Sequence, residues 1–317
     1  MTPSERCLVT GGAGFIGSNL VRALLERGHA VRVLDNLSTG RRSNLADVAD
    51  DVELIVGSVE HLATAGRAIE GVSRVFHEAA IPSVARSVAA PIASHEANAT
   101  GTLNVLLAAR DAGVERVVYA SSSSVYGDAD ELPVTEEARP KPISPYAVSK
   151  LAGEHYMAAF HASFGLPTVA LRYFNVFGPL QDPASEYAAV VPRFTTAALK
   201  GGPVTIYGDG EQSRDFTFIG DVVQANLLAA EAPSEAWGRT FNVAYNDRHS
   251  VNDLLREIRA LVPDVHQPEP VYAPPRAGEI RDSQADNTAA MEVLRFRPAW
   301  TFEDGLRTTV DWFRSNA

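Results

Sequence analysis

The chain has 317 residues, roughly twice the length of a typical domain, so we expect one large domain or two intimate ones. Hydrophobic residues make up 45% and charged residues 21%, as in globular proteins with a sizeable core. The net charge of −11 argues against nucleic acid or an anionic membrane as the main partner. The single cysteine, Cys7, excludes a disulfide scaffold or a zinc–thiolate cluster and fits a reducing compartment.

Membrane and metal signals are missing from the sequence. No uncharged apolar run approaches the ~20 residues needed to cross a bilayer. The amino terminus runs directly into a strand pattern, which leaves no room for a signal peptide. The histidines show no metal-ligand spacing. We therefore expect a cytoplasmic protein without a metal site.

Short β-branched runs alternate with amphipathic segments through the first half of the chain. The predicted strands are 7–10, 31–34, 54–56, 75–77 and 117–120. This alternation predicts an α/β fold, a Rossmann-type doubly wound parallel sheet with helices on both faces.

The amino-acid composition changes after about residue 171, where Pro and Gly become frequent, as in loops around a ligand. The elements predicted there are helices at 222–230, 252–261 and 302–313, a strand at 241–244 and an ordered loop at 268–275. We expect a Rossmann domain of residues 1–171 plus about 216–243. A smaller mixed α/β substrate domain would comprise 172–215 plus 244–317.

Gly11, Gly14 and Gly17 follow the first predicted strand and open the first helix. Glycines at these positions allow a sharp turn and a close approach of the backbone to a pyrophosphate, which the helix N-terminus then binds. The strand before and the helix after are the context that supports a dinucleotide site.

Asp35 ends the second predicted strand. A carboxylate there can accept both adenosine ribose hydroxyls and repels a 2′-phosphate, which favours NAD over NADP. Two alternatives stay open: Asp35 could be an ordinary strand-end aspartate, and Arg41 and Arg42 could hold a 2′-phosphate.

Four serines (121–124) follow the fifth predicted strand, at the end where open α/β sheets bind ligands, although such a run could also be a polar turn.

Tyr146 and Lys150 are four residues apart, so a helix places the phenol and the ammonium on one face. The ammonium is expected to lower the phenol pKa from about 10 towards neutrality. Such a tyrosine can remove a hydroxyl proton while a nicotinamide accepts hydride from the same carbon. Alone this spacing is usually structural; together with the glycine turn, Asp35 and the serines it favours catalysis.

The chain resembles the extended short-chain dehydrogenase/reductase superfamily, and within it the UDP-glucose/UDP-N-acetylglucosamine 4-epimerase family, over essentially its whole length. The segments that carry the resemblance are TGGAGFIG (10–17), DNLSTG (35–40), HEAA (77–80), NATGTLNV (98–105), ASSSSVYG (120–127), YAVSK (146–150), RYFNVFGP (172–179), GDGEQSRDF (208–216) and RAGEIRDSQAD (276–286).

The resemblance implies a role for each catalytic group. Tyr146 would be the base for the sugar 4-hydroxyl, Lys150 would lower its pKa and hold the nicotinamide ribose, and Ser122 would hydrogen-bond near the reacting oxygen. In this family NAD stays bound: hydride leaves C4, the 4-keto sugar rotates about its link to the diphosphate, and hydride returns to the opposite face.

Matching positions extend the assignment to the ligands. The positions that fall where the family contacts NAD are Gly11, Gly14, Phe15, Ile16, Gly17, Asp35, Asn36, Ser38, Thr39, Gly40, Ser58, Val59, Ala79, Ala80, Asn98 and Phe174, besides Tyr146 and Lys150. Those that fall where it holds the UDP-sugar are Ser123, Ser124, Asn175, Val190, Tyr207, Arg214, Arg276, Glu279 and Ser283, besides Tyr146. Arginines suit phosphates, an aromatic ring can stack on uracil, and a carboxylate suits ribose hydroxyls. Tyr207 and Arg276 could also be ordinary loop residues.

Ser58 departs from the family pattern. It stands where relatives carry an aspartate that contacts the adenine amino group. Serine can accept a hydrogen bond but carries no charge, so we expect weaker cofactor binding.

The sister reactions need acidic or basic groups that this chain lacks at the matching positions. The 4,6-dehydratases carry an Asp-Glu pair where Ser123 and Ser124 stand, and decarboxylases carry a glutamate at Ser124. A uronate 4-epimerase would place an arginine where Leu180 stands. These activities, UDP-glucuronate 4-epimerase and NAD-dependent nucleotide-sugar dehydratase or decarboxylase, are therefore disfavoured. They stay open as the alternatives to epimerisation of a neutral hexose.

Ser283 bears on the choice of sugar. In the family a tyrosine there excludes an N-acetyl group and a small residue admits it. The sequence thus predicts UDP-GlcNAc/UDP-GalNAc as substrates, with UDP-Glc/UDP-Gal as further ones. A non-catalytic dinucleotide-binding regulatory module is a minor alternative, disfavoured by the joint presence of Ser122, Tyr146 and Lys150.

The helices near 101–112 and 147–164 have apolar faces larger than one sheet face requires. The resemblance implies that they form a four-helix interface in a homodimer.

Overall fold

The computed structural model describes residues 5–183, 189–275 and 280–316. The strands are β1 (Arg6–Thr10), β2 (Ala30–Asp35), β3 (Val52–Val56), β4 (Arg74–His77), β5 (Arg116–Ser122), β6 (Thr168–Tyr173), β7 (Val176–Phe177), β8 (Thr205–Tyr207), β9 (Ser213–Arg214), β10 (Thr217–Phe218), β11 (Arg239–Val243), β12 (His249–Ser250) and β13 (Val271–Ala273). The helices are α1 (Phe15–Glu26), α2 (Leu62–Ile69), α3 (Val84–Ala89), α4 (Pro91–His95), α5 (Gly101–Asp111), α6 (Pro145–Phe164), α7 (Val190–Lys200), α8 (Ile219–Glu231), α9 (Val251–Ala260), α10 (Thr288–Val293) and α11 (Phe302–Ser315).

The centre of the molecule is a seven-stranded parallel sheet in the order β3-β2-β1-β4-β5-β6-β11. The chain moves outward from β1 in both directions, so the strand order reverses between β1 and β4. In open sheets of this kind ligands bind beyond the carboxyl ends of the strands at such a reversal. The predicted doubly wound parallel sheet is confirmed.

Helices cover both faces of the sheet, which explains why its inner strands are continuous apolar runs. One face packs against α1 and α8 through a core that includes Leu20, Leu24 and Val222. The other packs against α2, α5 and α6 through a core that includes Val105, Leu106 and Met157. No helix within the described residues is long and apolar enough to cross a membrane.

Short strand pairs accompany the sheet: β7 with β10, β9 with β12, and β8 with β13. The last pair corrects the prediction for 268–275, because Val271–Ala273 forms a parallel strand instead of a loop. The register pairs Val271 with Thr205, a contact between distant segments that a local pattern does not contain. The division into two domains stays a prediction, and the large sheet takes its strands from residues 6–173 and 239–243.

Candidate active site

The turn between β1 and α1 has the geometry of an anion-binding loop. Gly11 has φ +69° and its amide donates to Leu34 O at 2.8 Å. A Cβ at Gly17 would lie 2.3 Å from Gly11 O, so only glycine fits there. The N-cap Gly14 has no side-chain cap, which leaves the first amides of α1, beginning at Phe15, available to an anion.

Asp35 ties this turn to the loop that follows β2. Its Oδ2 accepts a hydrogen bond from the Ala13 amide at 2.9 Å, and its Oδ1 accepts one from Leu37 at 2.8 Å. A carboxylate has about four lone-pair sites, so both oxygens can still accept ribose hydroxyls. Gly40 packs directly on this carboxylate, since its Cβ position lies 2.8 Å from Oδ2. The other predicted residues of this loop, Asn36, Ser38 and Thr39, are exposed beside it.

Arg41 is engaged elsewhere. Its guanidinium forms an ion pair with Asp182 at 2.5 Å. This pairing weakens the alternative in which Arg41 holds a 2′-phosphate.

Ser58 and Val59 follow β3. The Ser58 hydroxyl accepts a hydrogen bond from the Glu60 amide at 3.2 Å. Val59 is buried against the start of α5, where a Cβ on Gly101 would lie 2.6 Å from it. A cofactor contact at Val59 would therefore use its backbone.

The remaining predicted NAD residues follow β4 in the chain, and they are at least partly buried. The Ala79 amide, which precedes Ala80, donates to Thr10 Oγ1 at 3.2 Å. Asn98 is buried and joins the Ile81 amide (2.8 Å) to Ser149 on α6 (3.0 Å). Phe174 is likewise buried, with its ring 6.1 Å from that of Tyr126. Asn98 thus joins the segment after β4 to α6, and Phe174 packs against Tyr126.

Ser122, Tyr146 and Lys150 come together where β5 meets α6. Ser144 caps α6 by accepting from the Ala147 amide at 3.2 Å, which starts the helix just before Tyr146. Lys150 is one turn further on and is buried, with Nζ 6.0 Å from the centroid of the Tyr146 ring. Tyr146 is partly buried and hydrogen-bonded to Ser122.

The charge state of Tyr146 differs from the expectation that Lys150 would lower its pKa towards neutrality. In the chain by itself burial raises the pKa of Tyr146, and only the hydrogen bond from Ser122 opposes that rise. Burial lowers the pKa of Lys150 to about 8. The physical reason is the burial of the phenol, which disfavours its charged form, while Nζ of Lys150 donates to Ala120 O at 2.8 Å.

Ser123 and Ser124 form a short helical turn beyond β5. The Ser124 amide donates to Ser122 Oγ at 3.2 Å, which orients the Ser122 hydroxyl. The Ser124 hydroxyl is buried and makes no hydrogen bond to any described group. A buried unpaired hydroxyl is energetically unfavourable.

A cavity of about 250 Å³ collects four of the predicted substrate residues, namely Asn175, Val190, Tyr207 and Arg214. Asn175 connects the cavity to β5, because Ser122 on β5 pairs with Tyr173, two residues before Asn175. Arg214 is held at the cavity by Ser213 O (2.8 Å) and Arg281 O (3.0 Å).

Ser283 is brought to the same region. Its amide donates to Ser213 O at 3.2 Å, beside Arg214. The two remaining predicted substrate residues, Arg276 and Glu279, lie outside the described residues.

Glu78 directly follows β4, at the end of the sheet where the predicted site residues lie. The sequence motifs did not single it out, although it belongs to the segment HEAA. Its carboxyl accepts a hydrogen bond from Tyr173 at 2.9 Å, and burial raises its pKa to about 7. In residues 5–183, 189–275 and 280–316, no cluster of three or more His, Cys, Asp or Glu side chains could hold a metal ion.

A glycine turn, a carboxylate at the end of the second strand and a Ser/Tyr/Lys group on one Rossmann sheet are typical of dinucleotide-dependent enzymes of the short-chain dehydrogenase/reductase class. A family model described as the NAD dependent epimerase/dehydratase family matches residues 7–244. The chain belongs to this family, and NAD is its cofactor.

Individual relatives cover nearly the whole chain. A UDP-glucose 4-epimerase of Mycolicibacterium smegmatis is 41% identical, with 98% of this chain and 99% of the relative covered. The solved UDP-N-acetylglucosamine 4-epimerase of Methanobrevibacter ruminantium, in complex with UDP-N-acetylmuramic acid, has a TM-score of 0.93 at 38% identity over 100% of both chains. A UDP-N-acetyl-α-D-glucosaminuronate decarboxylase of Bacillus cytotoxicus is 36% identical over 98% of each chain.

Proposed function

We propose that this enzyme is a UDP-sugar 4-epimerase that interconverts UDP-GlcNAc and UDP-GalNAc, with UDP-Glc and UDP-Gal as further substrates. The observation that carries the proposal is a cavity lined by Asn175, Val190, Tyr207 and Arg214. Asn175 lies two residues beyond Tyr173, the partner of Ser122 in the sheet. A guanidinium at this place can bind a diphosphate, and an aromatic ring can stack on a pyrimidine.

The glycine turn and Asp35 fit the pyrophosphate and adenosine ribose of NAD, because the free amides of α1 and the carboxylate face the same crevice end of the sheet. Lys150 would hold the nicotinamide ribose. When bound, NAD would supply reversible hydride transfer at the sugar C4.

Tyr146 removes the proton from the sugar 4-hydroxyl and gives it back after the hydride returns. Ser122 supports this transfer through its hydrogen bond to Tyr146, which favours the phenolate. Lys150 lies on the same helical face, with Nζ 6.0 Å from the centroid of the Tyr146 ring. The family resemblance assigns Ser123 and Ser124 to the orientation of the sugar.

A neutral hexose suits this site better than a uronate. Leu180 stands where a uronate-binding arginine is expected, and the carboxylate of Asp182 lies close by in its ion pair with Arg41. Ser123 and Ser124 offer no carboxylic acid for elimination or decarboxylation. The decarboxylase relative makes this distinction a necessary part of any test.

We further propose a homodimer. Exposed apolar side chains gather on α3, α4 and α6, which contact one another: Val88 (65% exposed), Ile92 (73%) and Val148 (53%). The contribution expected from 101–112 stays a prediction; within the chain α5 packs against α2 and α6. Sedimentation should show a dimer, Ile92→Asp should shift it to monomer, and a monomeric wild type would contradict the proposal.

The function is tested by mass spectrometry of small molecules released on denaturation, followed by incubation with UDP-GlcNAc, UDP-Glc and UDP-uronates. We expect retained NAD and the 4-epimers of the neutral sugars. The matched variant Ser283→Tyr should lose turnover of UDP-GlcNAc and keep turnover of UDP-Glc. Strong turnover of UDP-Glc with none of UDP-GlcNAc in the wild type would contradict the choice of sugar. Release of CO₂ from a UDP-uronate would contradict the reaction.

A further inference from the structure

Asp215 carries a fully buried carboxylate at the meeting point of three separate segments. It directly follows β9, and its Oδ1 accepts a hydrogen bond from the Tyr245 amide at 2.9 Å. Its Oδ2 accepts from the Asn246 amide at 3.1 Å and from the Ala285 amide at 3.2 Å. One side chain thus joins β9 to the turn after β11 and to the segment 281–287, which precedes α10.

These three hydrogen bonds explain why an aspartate is needed here. An ionised carboxylate only accepts hydrogen bonds and has about four lone-pair sites, so it can satisfy all three amides. The single oxygen of an asparagine could accept from at most two of them, and its NH₂ group would face the third. A buried amide that loses its acceptor is costly, so Asp215→Asn should loosen at least one of the attachments.

The segment 281–287 lies along the strand that carries Arg214. The Ser213 amide donates to Arg281 O at 3.0 Å, and the Ser283 amide donates to Ser213 O at 3.2 Å. The guanidinium of Arg214, which lines the cavity, donates to Arg281 O at 3.0 Å. β9 therefore holds the beginning of the segment, and the Asp215 carboxylate holds it two residues after Ser283.

The turn after β11 is attached to the same segment from its other side. Asn246 has φ +60°, a conformation that asparagine tolerates better than most residues. The side chain of Gln284 donates to Asn246 O at 3.0 Å and to Asn246 Oδ1 at 3.1 Å. Because Asp215 accepts from the amides of both Asn246 and Ala285, the turn and the segment are held as one unit.

We propose that Asp215 is a positioning residue for the nucleotide sugar, whose carboxylate holds the segment that carries Ser283 against the strand that carries Arg214. Asp215 is buried beneath these groups and acts on the substrate only through them. Its effect on substrate affinity rests on the proposed function, whereas its hold on the segment is a property of the folded chain that can be measured without turnover.

Asp221 on α8 offers a matched control, since it is also fully buried. It accepts from the amides of Ala299 (2.7 Å) and Trp300 (3.3 Å) and from the hydroxyl of Tyr245 (2.6 Å). None of these partners belongs to the segment 281–287. Asp221→Asn should therefore also lower the free energy of unfolding, but it should leave the segment and the substrate affinity unchanged.

The test combines substrate affinity with local hydrogen exchange, at pH 8, where Asp215 is ionised although burial raises its pKa to about 7. In Asp215→Asn we expect the KM for the UDP-sugar and the Kd for UDP, measured by calorimetry, to rise about tenfold or more. The kcat should stay within about threefold of the wild type, because binding is lost without loss of the chemical step. Retention of NAD should be unchanged. Mass spectrometry should show exchange in the segment 281–287 about tenfold faster in Asp215→Asn and unchanged in Asp221→Asn.

A second variant keeps the test usable if Asp215→Asn does not fold. Gln284→Ala removes the partly exposed attachment to Asn246, and it should speed exchange in the same segment and raise KM about twofold or more.

An unchanged KM in Asp215→Asn, or an equal rise in Asp221→Asn, would overturn the inference. Unchanged exchange in Gln284→Ala would overturn it as well. Faster exchange in the segment 281–287 of Asp215→Asn alone, in an enzyme that epimerises no UDP-sugar, would support the hold of Asp215 on the segment and reject the proposed function.

Discussion

Replacing Glu154 by glutamine removes one charge from the buried ion pair between Glu154 and Arg172. The carboxylate accepts two hydrogen bonds from Arg172 and one from the hydroxyl of Ser121, the residue before Ser122. Glutamine keeps the shape of the side chain but leaves the guanidinium buried without a counter-charge. Removing one partner of such a pair costs about 3–5 kcal/mol, so we expect Glu154→Gln to lower the free energy of unfolding by at least about 3 kcal/mol.

Urea unfolding followed by tryptophan fluorescence measures this loss, and the chain offers a matched control. Glu53 also pairs with an arginine, Arg32, at 2.8 Å, but its side chain is 52% exposed. Glu53→Gln should therefore cost about 1 kcal/mol or less. The double variant Glu154→Gln/Arg172→Met, in which no charge remains buried, should recover much of the stability. A loss for Glu154→Gln no larger than that for Glu53→Gln would refute the reasoning.

Three further predictions concern the site itself. Tyr146→Phe should fold normally and lose about 10²-fold or more in kcat, because general-base catalysis is removed; turnover within tenfold of the wild type would contradict its role. Burial lowers the Lys150 pKa to about 8, so the positive charge of Lys150 is present below that pH and lost above it. We therefore expect kcat/KM, measured from pH 6 to 10, to fall above about pH 8. A flat profile would contradict this expectation. Gly17→Ala should abolish retention of NAD, measured by absorbance of the released cofactor, since its Cβ would lie 2.3 Å from Gly11 O; full retention would contradict the tight turn.

The sequence predicted what local patterns encode. The apolar runs indicated six of the seven strands of the large sheet, whereas β6 (Thr168–Tyr173) was not predicted. The glycine spacing indicated the turn between β1 and α1. The side chains of Tyr146 and Lys150 were predicted on one helical face because helix geometry places residues four apart together.

Contacts between distant segments were beyond such patterns. The Tyr173 hydroxyl donates a hydrogen bond to Glu78, which is 95 positions earlier in the sequence. Val271 pairs with Thr205, in the strand pair of β13 and β8. The pKa of Tyr146 was misjudged for a related reason: the spacing revealed the neighbouring ammonium but not the burial that outweighs it.

The central claim is a reversible oxidation at C4 of a UDP-linked sugar, and isotope transfer tests it most directly. Enzyme carrying NAD is mixed with UDP-GlcNAc deuterated at C4, quenched within a turnover, and its nicotinamide is analysed by mass spectrometry. We predict that deuterium is found on the cofactor in wild-type enzyme and not in Tyr146→Phe. Formation of the 4-epimer with no deuterium ever reaching the cofactor would contradict the account.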